Sequence, residues 1–216
     1  VLGVQPAEFE LLETMLWRPE TGIVLWDRHL ERLAGSAEYF GLAVDLGNIE
    51  HEVAAAVASL PGEPHRLRLL VDQEGLARVQ VQPLPDAPNH QPVRIGLAPQ
   101  PIDRGDVFFY HKTTRREAYE AARLSRPECD DVLLWNERGE ITETCLANVA
   151  VRLDGELVTP PVDCGLLAGT LRGWLLEQGR LQERVITVDD LASCDEIYIM
   201  NSVRGMREAM LVGRKK

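Results

Sequence analysis

A single interior lysine is the first residue of this chain that could do covalent chemistry. Only three of its 23 basic residues are lysines, and two of these, Lys215 and Lys216, end the sequence. Lys112 therefore stands alone, directly behind the apolar run Val-Phe-Phe-Tyr. An arginine stays protonated near neutral pH, whereas a desolvated amine loses its proton readily and can form a Schiff base. Lys112 is a candidate for such amine chemistry, and the alternative is a surface lysine at the start of a helix.

A carboxylate in an apolar row is the second candidate. If residues 140–153 form one uninterrupted strand, its alternation places Glu143 among apolar side chains on one face of the sheet. A buried carboxylate needs a cationic partner, because its desolvation otherwise costs several kcal/mol. That partner is either an arginine or the protonated heterocycle of a bound cofactor, and the sequence leaves both open.

Two further features could bind an anion. Arg32 lies beside the apolar stripe of a predicted helix, where it is either a solvated flank or a phosphate ligand with two parallel hydrogen bonds. Gly169 precedes a helix-forming run, so the N–H groups of Thr170 and Leu171 lie at a helix start, which either binds phosphate or is only a cap. Ser202, near the end of a strand-like segment, could add a donor to the same anion.

Together these residues supply an amine for a Schiff base, a carboxylate for a ring nitrogen and several donors for a phosphate. Those groups are the requirements for binding pyridoxal 5′-phosphate. The sequence therefore predicts this molecule as the cofactor.

The composition argues against several classes of protein. A formal net charge of −11 disfavours nucleic-acid binding, which needs clustered basic surface. No apolar run approaches the roughly 20 residues that span a membrane, and the first residues lack the arrangement of a signal peptide. The four cysteines form neither a CxxC pair nor a metal-ligand pattern with histidines. We expect a cytoplasmic protein with free thiols that acts on a small molecule and binds no metal.

The order of strand-like and helix-like segments predicts an α+β (α/β) protein of two domains. The boundary is expected near residue 100, with a small domain over 1–100 and a larger one over 101–216 that carries Lys112. The first domain is predicted to contain strands over 9–17 and 22–27, helices over 27–42 (with Asp27 as N-cap) and 48–60, and a hairpin over 65–84. The second is predicted to contain helices over 113–124 and 170–179 and strands over 131–136, 140–153, 156–160, 184–188 and 196–202.

Seven stretches occur in the order typical of a known family: LLETMLW, DRHLERL, YHKTTRR, DDVLLWNERGEITETCLANVAV, ELVTPP, LLAGTLRG and EIYIMNSVRG. On these motifs the chain resembles the class IV aminotransferases, which are fold type IV (D-amino-acid aminotransferase-like) pyridoxal-phosphate enzymes. Within that family it is most similar to the aminodeoxychorismate lyases, notably those fused behind aminodeoxychorismate synthase in some bacteria. The resemblance implies two α/β domains, with the cofactor between them, in a homodimer.

The resemblance also implies a role for each candidate residue. Lys112 would form the Schiff base, and Glu143 would pair with the pyridinium nitrogen. Thr14 matches a hydroxyl residue of the lyases and would assist proton transfer. The phosphate would be held by Arg32, the amides of Thr170 and Leu171, and Ser202.

The activity that the resemblance implies is the conversion of 4-amino-4-deoxychorismate to 4-aminobenzoate and pyruvate. The short start before FELLETM favours descent from a fused enzyme and makes aminodeoxychorismate synthase a candidate partner. Charge and position make Arg115, Arg116 and Arg204 candidate anchors for the two substrate carboxylates. The alternatives are a transaminase for branched-chain or D-amino acids, a catalytically silent dimeric scaffold, and a thiol hydrolase built on Cys145 and His111.

Overall fold

The computed structural model of the chain describes residues 9–84 and 91–213. These residues form two compact units, and the predicted mixture of helices and strands is confirmed. One unit contains residues 9–84 together with Lys112–Arg115, and the other contains 91–111 and 116–213. The first strand of the second unit therefore lies before residue 100, where the sequence predicted the boundary between the two domains.

The first unit is a four-stranded antiparallel sheet whose core is shared with two helices. Its strand order is β2-β1-β3-β4, formed by β1 (Leu11–Arg18), β2 (Gly22–Ile23), β3 (His65–Val71) and β4 (Ala77–Pro83). The helices are α1 (Trp26–Phe40) and α2 (Leu46–Val57). Alternate residues of β1 and β3 are apolar, so one face of the sheet packs with the apolar stripes of both helices.

The start of α1 differs from the prediction. The strand predicted over residues 22–27 ends at Ile23, and α1 already begins at Trp26. Asp27 is therefore not the N-cap, and Leu25 holds that position in the left-handed conformation with φ 57°. Asp27 lies in the first turn instead, where a negative charge is favourable beside the helix dipole.

The second unit contains an eight-stranded sheet in which six strands close into a barrel. The strand order is β10-β9-β8-β11-β12-β5-β6-β7, and β7 also pairs with β8, which closes the ring. The strands are β5 (Val93–Leu97), β6 (Asp131–Trp135), β7 (Ile141–Thr144), β8 (Asn148–Leu153), β9 (Glu156–Thr159), β10 (Gln182–Glu183), β11 (Glu196–Asn201) and β12 (Gly205–Leu211). The closing pair is Glu143 of β7 opposite Asn148 of β8.

Several predicted elements of the second unit are wrong or missing. The strand predicted over residues 184–188 does not form, and only Thr187 makes an isolated bridge there. Strands β5 and β12 were not predicted from the sequence. The helix predicted over 113–124 is α3, which begins only at Glu117 because the residues before it pair with β1.

The remaining helix of the second unit is α4 (Thr170–Glu177), which begins where it was predicted. Its buried side chains include Leu175, which packs with Ala150 and Met200 of the sheet. Within residues 9–84 and 91–213, no helix has both the length and the hydropathy that crossing a membrane would need.

Candidate active site

Lys112 lies on a segment that pairs with the beginning of β1. The N–H of Leu12 donates to the carbonyl of Lys112 over 2.9 Å, and the N–H of Thr114 donates to the carbonyl of Glu10 over 2.9 Å. The N–H of Glu10 in turn donates to Thr114 Oγ1 over 2.9 Å. The backbone from Lys112 to Thr114 is therefore held against β1, the strand that carries Thr14, and Lys112 itself is half-buried.

Arg32 belongs to a buried group of charges on α1 and β1. Its Nε and Nη2 donate to the two oxygens of Glu13 over 2.8 and 2.6 Å, and His29 Nδ1 lies 2.6 Å from Glu13 Oε2. Burial alone would raise the pKa of Glu13, but the charge of Arg32 and the hydrogen bonds from His29 and Arg32 outweigh it and lower the pKa to about 2. Arg32 is therefore not a solvated flank: Glu13 fixes its orientation.

The strand predicted over residues 140–153 is instead a hairpin of β7 and β8. Residues 145–147 reverse the chain, because the N–H and the hydroxyl of Thr144 donate to the carbonyl of Ala147 over 2.8 and 2.9 Å. The N–H of Ala147 also donates to Thr144 Oγ1 over 3.1 Å. Glu143 thus lies opposite Asn148 and does not belong to one continuous alternating row.

Glu143 is 4% exposed, and its carboxylate accepts hydrogen bonds from three neutral donors. The hydroxyl of Tyr119 donates to Oε1 over 2.8 Å, and the N–H of Leu167 donates to the same oxygen over 3.3 Å. Asn148 Nδ2 donates to Oε2 over 3.1 Å. Burial and the neighbouring carboxylate raise the pKa of Tyr119 well above its ordinary value, so its hydroxyl keeps the proton that it donates.

The turn before α4 is attached to the same carboxylate. Asn148 Nδ2 donates to the carbonyl of Leu167 over 2.9 Å, and the N–H of Leu167 donates to Glu143. Gly169 is the N-cap of α4, and Thr170, the first helical residue, is buried. The first N–H groups of a helix have no partner within the helix and favour an anion. The geometry at Thr170 and Leu171 therefore suits a phosphate.

Gly169→Ala is expected to destabilise the protein by about 1–3 kcal/mol through overpacking. A Cβ at this position would lie 1.9 Å from Asn148 Oδ1, so the start of α4 or Asn148 would have to move. The urea concentration at the midpoint of unfolding measures the effect. Gly35→Ala is the control, because nothing lies within 4 Å of its Cβ, and an alanine within α1 should be neutral or stabilising. Equal midpoints for the two variants would contradict the expected clash.

Ser202 follows β11 in a turn that is tied to the β7–β8 hairpin. The side chain of Asn201 accepts from the N–H groups of Val203 and Arg204 over 3.1 and 2.8 Å. Its Nδ2 donates to the carbonyl of Leu146 over 3.2 Å. Hydrogen bonds thus link three parts of the second unit: the Ser202 turn, the hairpin with Glu143, and the turn before α4.

The three arginines expected to anchor a substrate have different surroundings. The guanidinium of Arg116 lies 4.3 Å from the centroid of the Tyr119 ring and donates to the carbonyl of Cys145. Arg115 and Arg204 are exposed. Arg116 is therefore engaged in holding Tyr119 and the hairpin.

Sequence reasoning missed Tyr119 as a site residue. It lies on α3, and no local spacing connects it to Glu143, which is 24 positions away. Its side chain is 7% exposed and packs edge-on against Phe109, with ring centroids 5.3 Å apart. The available signal was a large aromatic residue on the buried face of a helix, which is also the signal of an ordinary core residue.

The thiol hydrolase built on Cys145 and His111 is contradicted. Burial, together with the charge of Asp131, raises the pKa of Cys145 to about 12. The thiol is 2% exposed and donates to the carbonyl of Tyr119 over 3.4 Å. Because the thiolate is the nucleophilic form, such a cysteine is inert near neutral pH.

Comparison with known proteins decides the family. A family model described as amino-transferase class IV matches residues 10–210. The chain belongs to the class IV aminotransferase family. A crystal structure from Mesorhizobium loti, provisionally named an amino-acid aminotransferase, is 40% identical with a TM-score of 0.89 and covers 94% of this chain and 100% of that one. The fold type IV architecture implied by the resemblance is thereby confirmed.

Two other members of the family carry more specific descriptions. A Schizosaccharomyces pombe protein provisionally named an aminodeoxychorismate lyase is 29% identical over 214 residues, 95% of this chain and 90% of that protein. A Mycobacterium tuberculosis structure described as a hypothetical aminotransferase in its PLP-bound form is 27% identical, with a TM-score of 0.81, over 95% of this chain and 82% of that one.

Proposed function

We propose that this chain is a pyridoxal-phosphate-dependent lyase that converts 4-amino-4-deoxychorismate to 4-aminobenzoate and pyruvate, a step in folate precursor synthesis. The observation that carries the proposal is the buried carboxylate of Glu143 with its three neutral donors. Hydrogen bonds to a carboxylate favour its ionised form. An ionised carboxylate fits the protonated nitrogen of a pyridine ring, so the donor set present here fits the cofactor.

The other residues of the proposed cofactor site follow from the family and from the chemistry of each group. Lys112 would hold the cofactor aldehyde covalently, and the PLP-bound relative from M. tuberculosis supports the choice of cofactor. The phosphate would be held by Arg32, the N–H groups of Thr170 and Leu171, and Ser202. When bound, the cofactor supplies a protonated ring that withdraws electrons from the substrate.

The same lysine would act as the base of the reaction, after the substrate amine has displaced its side chain from the cofactor aldehyde. Lys112 Nζ accepts the proton from the substrate ring carbon that bears the amine, and Thr14, on the neighbouring strand, assists this transfer. Loss of the proton allows the enolpyruvyl group to leave as enolpyruvate, which takes up a proton to become pyruvate, and the substrate ring becomes aromatic. Aromatisation makes the overall step strongly downhill. Arg115 and Arg204 are the proposed anchors for the two substrate carboxylates, with Arg116 in a supporting position.

The choice of a lyase is supported by the S. pombe relative, which matches nearly the whole chain, and by the HKTTRR motif after an aromatic run. The second candidate is a transaminase for branched-chain or D-amino acids. It is supported by the relatives from M. loti and M. tuberculosis that are described as aminotransferases. Both candidates use the same cofactor and the same lysine.

The family resemblance also underlies our proposals for the oligomeric state, the cellular location and the partner of the enzyme. We propose that it acts as a homodimer in the cytoplasm. Aminodeoxychorismate synthase is its proposed partner, because that enzyme makes the substrate of the lyase reaction.

The deciding experiment follows product formation by the purified protein loaded with pyridoxal phosphate. Incubation with 4-amino-4-deoxychorismate is expected to release pyruvate and 4-aminobenzoate in equal amounts, with no amino acceptor present. A second incubation with branched-chain or D-amino acids and 2-oxoglutarate tests amino-group transfer. A Lys112→Ala preparation, purified identically, serves as the control for contaminating enzymes.

The two incubations separate the candidates. Pyruvate release without an acceptor, absent from the control, supports the lyase. Amino-group transfer without pyruvate release from 4-amino-4-deoxychorismate overturns the lyase and favours the transaminase. A protein that binds the cofactor but does neither would be consistent with the silent scaffold.

A further inference from the structure

We propose that Tyr119 is a positioning residue for Glu143: its hydroxyl fixes the carboxylate in the orientation in which it meets the ring nitrogen of the cofactor. The inference rests on the proposed use of pyridoxal phosphate, and it holds for the lyase and the transaminase alike. Its basis is the hydrogen bond of 2.8 Å from the Tyr119 hydroxyl to Glu143 Oε1.

The carboxylate is held from three different elements. Tyr119 comes from α3, Leu167 from the turn before α4, and Asn148 from the start of β8. Two donors lie on Oε1 and one on Oε2, so rotation of the carboxylate would exchange oxygens that have different partners. Donors on both oxygens therefore define one plane for the group. The Tyr119 bond, at 2.8 Å, is shorter than those from Asn148 and Leu167, at 3.1 and 3.3 Å, and it is made by a side chain of α3.

The tyrosine that makes this contact is itself held on two sides. Its ring packs against the guanidinium of Arg116, 4.3 Å from the ring centroid, and edge-on against Phe109. Arg116 is tied to the hairpin through the carbonyl of Cys145. The hydroxyl of Tyr119 is therefore preorganised, which is what a supporting group needs in order to fix a functional carboxylate.

The direction of the hydrogen bond is defined by chemistry. An ionised carboxylate can only accept, so the tyrosine must be the donor. Burial and the charge of Glu143 raise the pKa of Tyr119, which keeps the phenol protonated over the range in which enzymes work. A phenol donating to an ion makes a stronger bond than it would to a neutral acceptor.

Tyr119→Phe tests the inference because it removes one oxygen and keeps the ring between Arg116 and Phe109. We expect the dissociation constant for pyridoxal phosphate, measured by titrating the apoprotein, to rise about tenfold. We also expect kcat to fall about tenfold in whichever reaction the wild type catalyses, with KM little changed. Tyr198→Phe is the matched control, because its hydroxyl also donates to a glutamate, Glu196, over 2.9 Å but on the exposed part of β11.

A double-mutant cycle shows whether Tyr119 acts through Glu143. In the Glu143→Gln background the acceptor is a neutral amide, so adding Tyr119→Phe should raise the dissociation constant only about threefold or less. An undiminished tenfold effect in that background would overturn the inference, because Tyr119 would then act independently of the carboxylate.

Two other outcomes remain distinguishable. If the wild type binds the cofactor and the two variants Tyr119→Phe and Tyr198→Phe have the same dissociation constant and kcat, the positioning role is wrong and the proposed function stands. Wild-type protein that binds no pyridoxal phosphate overturns the proposed function and this inference together. Unfolding midpoints in urea for both variants separate a positioning effect from a loss of stability, since only the latter would move the midpoint of Tyr119→Phe well below that of Tyr198→Phe.

Discussion

Lys112→Ala is expected to abolish covalent attachment of pyridoxal phosphate and to lower product release at least about a thousandfold. The substitution removes the proposed anchor of the cofactor and the proposed base in one step. The segment itself should remain in place, because its contacts with β1 are made by the backbone at Lys112 and by Thr114. The loss should therefore appear in chemistry and not in stability.

The small number of lysines makes the attachment site simple to assign. Borohydride reduces a Schiff base to a stable amine, so the reduced holoprotein can be digested and the modified peptide identified by mass spectrometry. Lysine side chains occur at only three positions, and Lys215 and Lys216 at the end of the sequence serve as internal controls for nonspecific labelling. We expect the pyridoxyl group on the peptide that contains residue 112.

Lys112→Arg is the matched variant for charge. It keeps the positive charge but cannot lose its proton near neutral pH, so it should be as inactive and as free of label as Lys112→Ala. Labelling of another peptide in the wild type, or full activity in either variant, would contradict the role proposed for Lys112.

Local patterns predicted those elements whose signal lies within the element. The helices α1 and α2 and the hairpin of β3 and β4 follow from periodicity that reports which side chains face a core. The β7–β8 hairpin could not be predicted in this way. Its turn, Cys145–Leu146–Ala147, contains no glycine, proline or asparagine, and the chain reverses through hydrogen bonds between Thr144 and Ala147. Because this turn is apolar, the sequence pattern of two strands joined by it predicts one longer strand.

The candidate site shows the same limit. Glu143 was recognisable because a carboxylate in an apolar row is costly, but the donors that hold it come from α3, from β8 and from the turn before α4. Two of those contacts depend on how α3 and the turn before α4 pack against the β7–β8 hairpin, because Tyr119 and Leu167 each lie 24 positions from Glu143 in the sequence. Glu13 carried a similar signal within LLETMLW, because a carboxylate between apolar residues needs a cationic partner. In the structure that partner is Arg32.

Glu13→Gln is expected to lower the free energy of unfolding by about 3–5 kcal/mol, because it removes the buried negative charge that pairs with the guanidinium of Arg32. Glu13 is 1% exposed, and both its oxygens are engaged by Arg32 or His29. Urea unfolding followed by circular dichroism measures the loss. Glu10→Gln is the control, since Glu10 makes a similar two-point contact with Arg78 but at an exposed site, where ion pairs contribute little.

The pH dependence of the same pair provides an independent check. The pKa of Glu13 is lowered from 4.5 to about 2, so its contribution to stability is complete above the unfolded value and is lost as the pH falls through the folded one. This difference corresponds to roughly 3 kcal/mol, in agreement with the loss expected for Glu13→Gln. The gap in unfolding free energy between wild type and Glu13→Gln should therefore narrow as the pH falls from 4.5 to about 2. If this gap did not change with pH, or if Glu13→Gln were no less stable than Glu10→Gln, the ionised carboxylate would not be what stabilises α1 against β1.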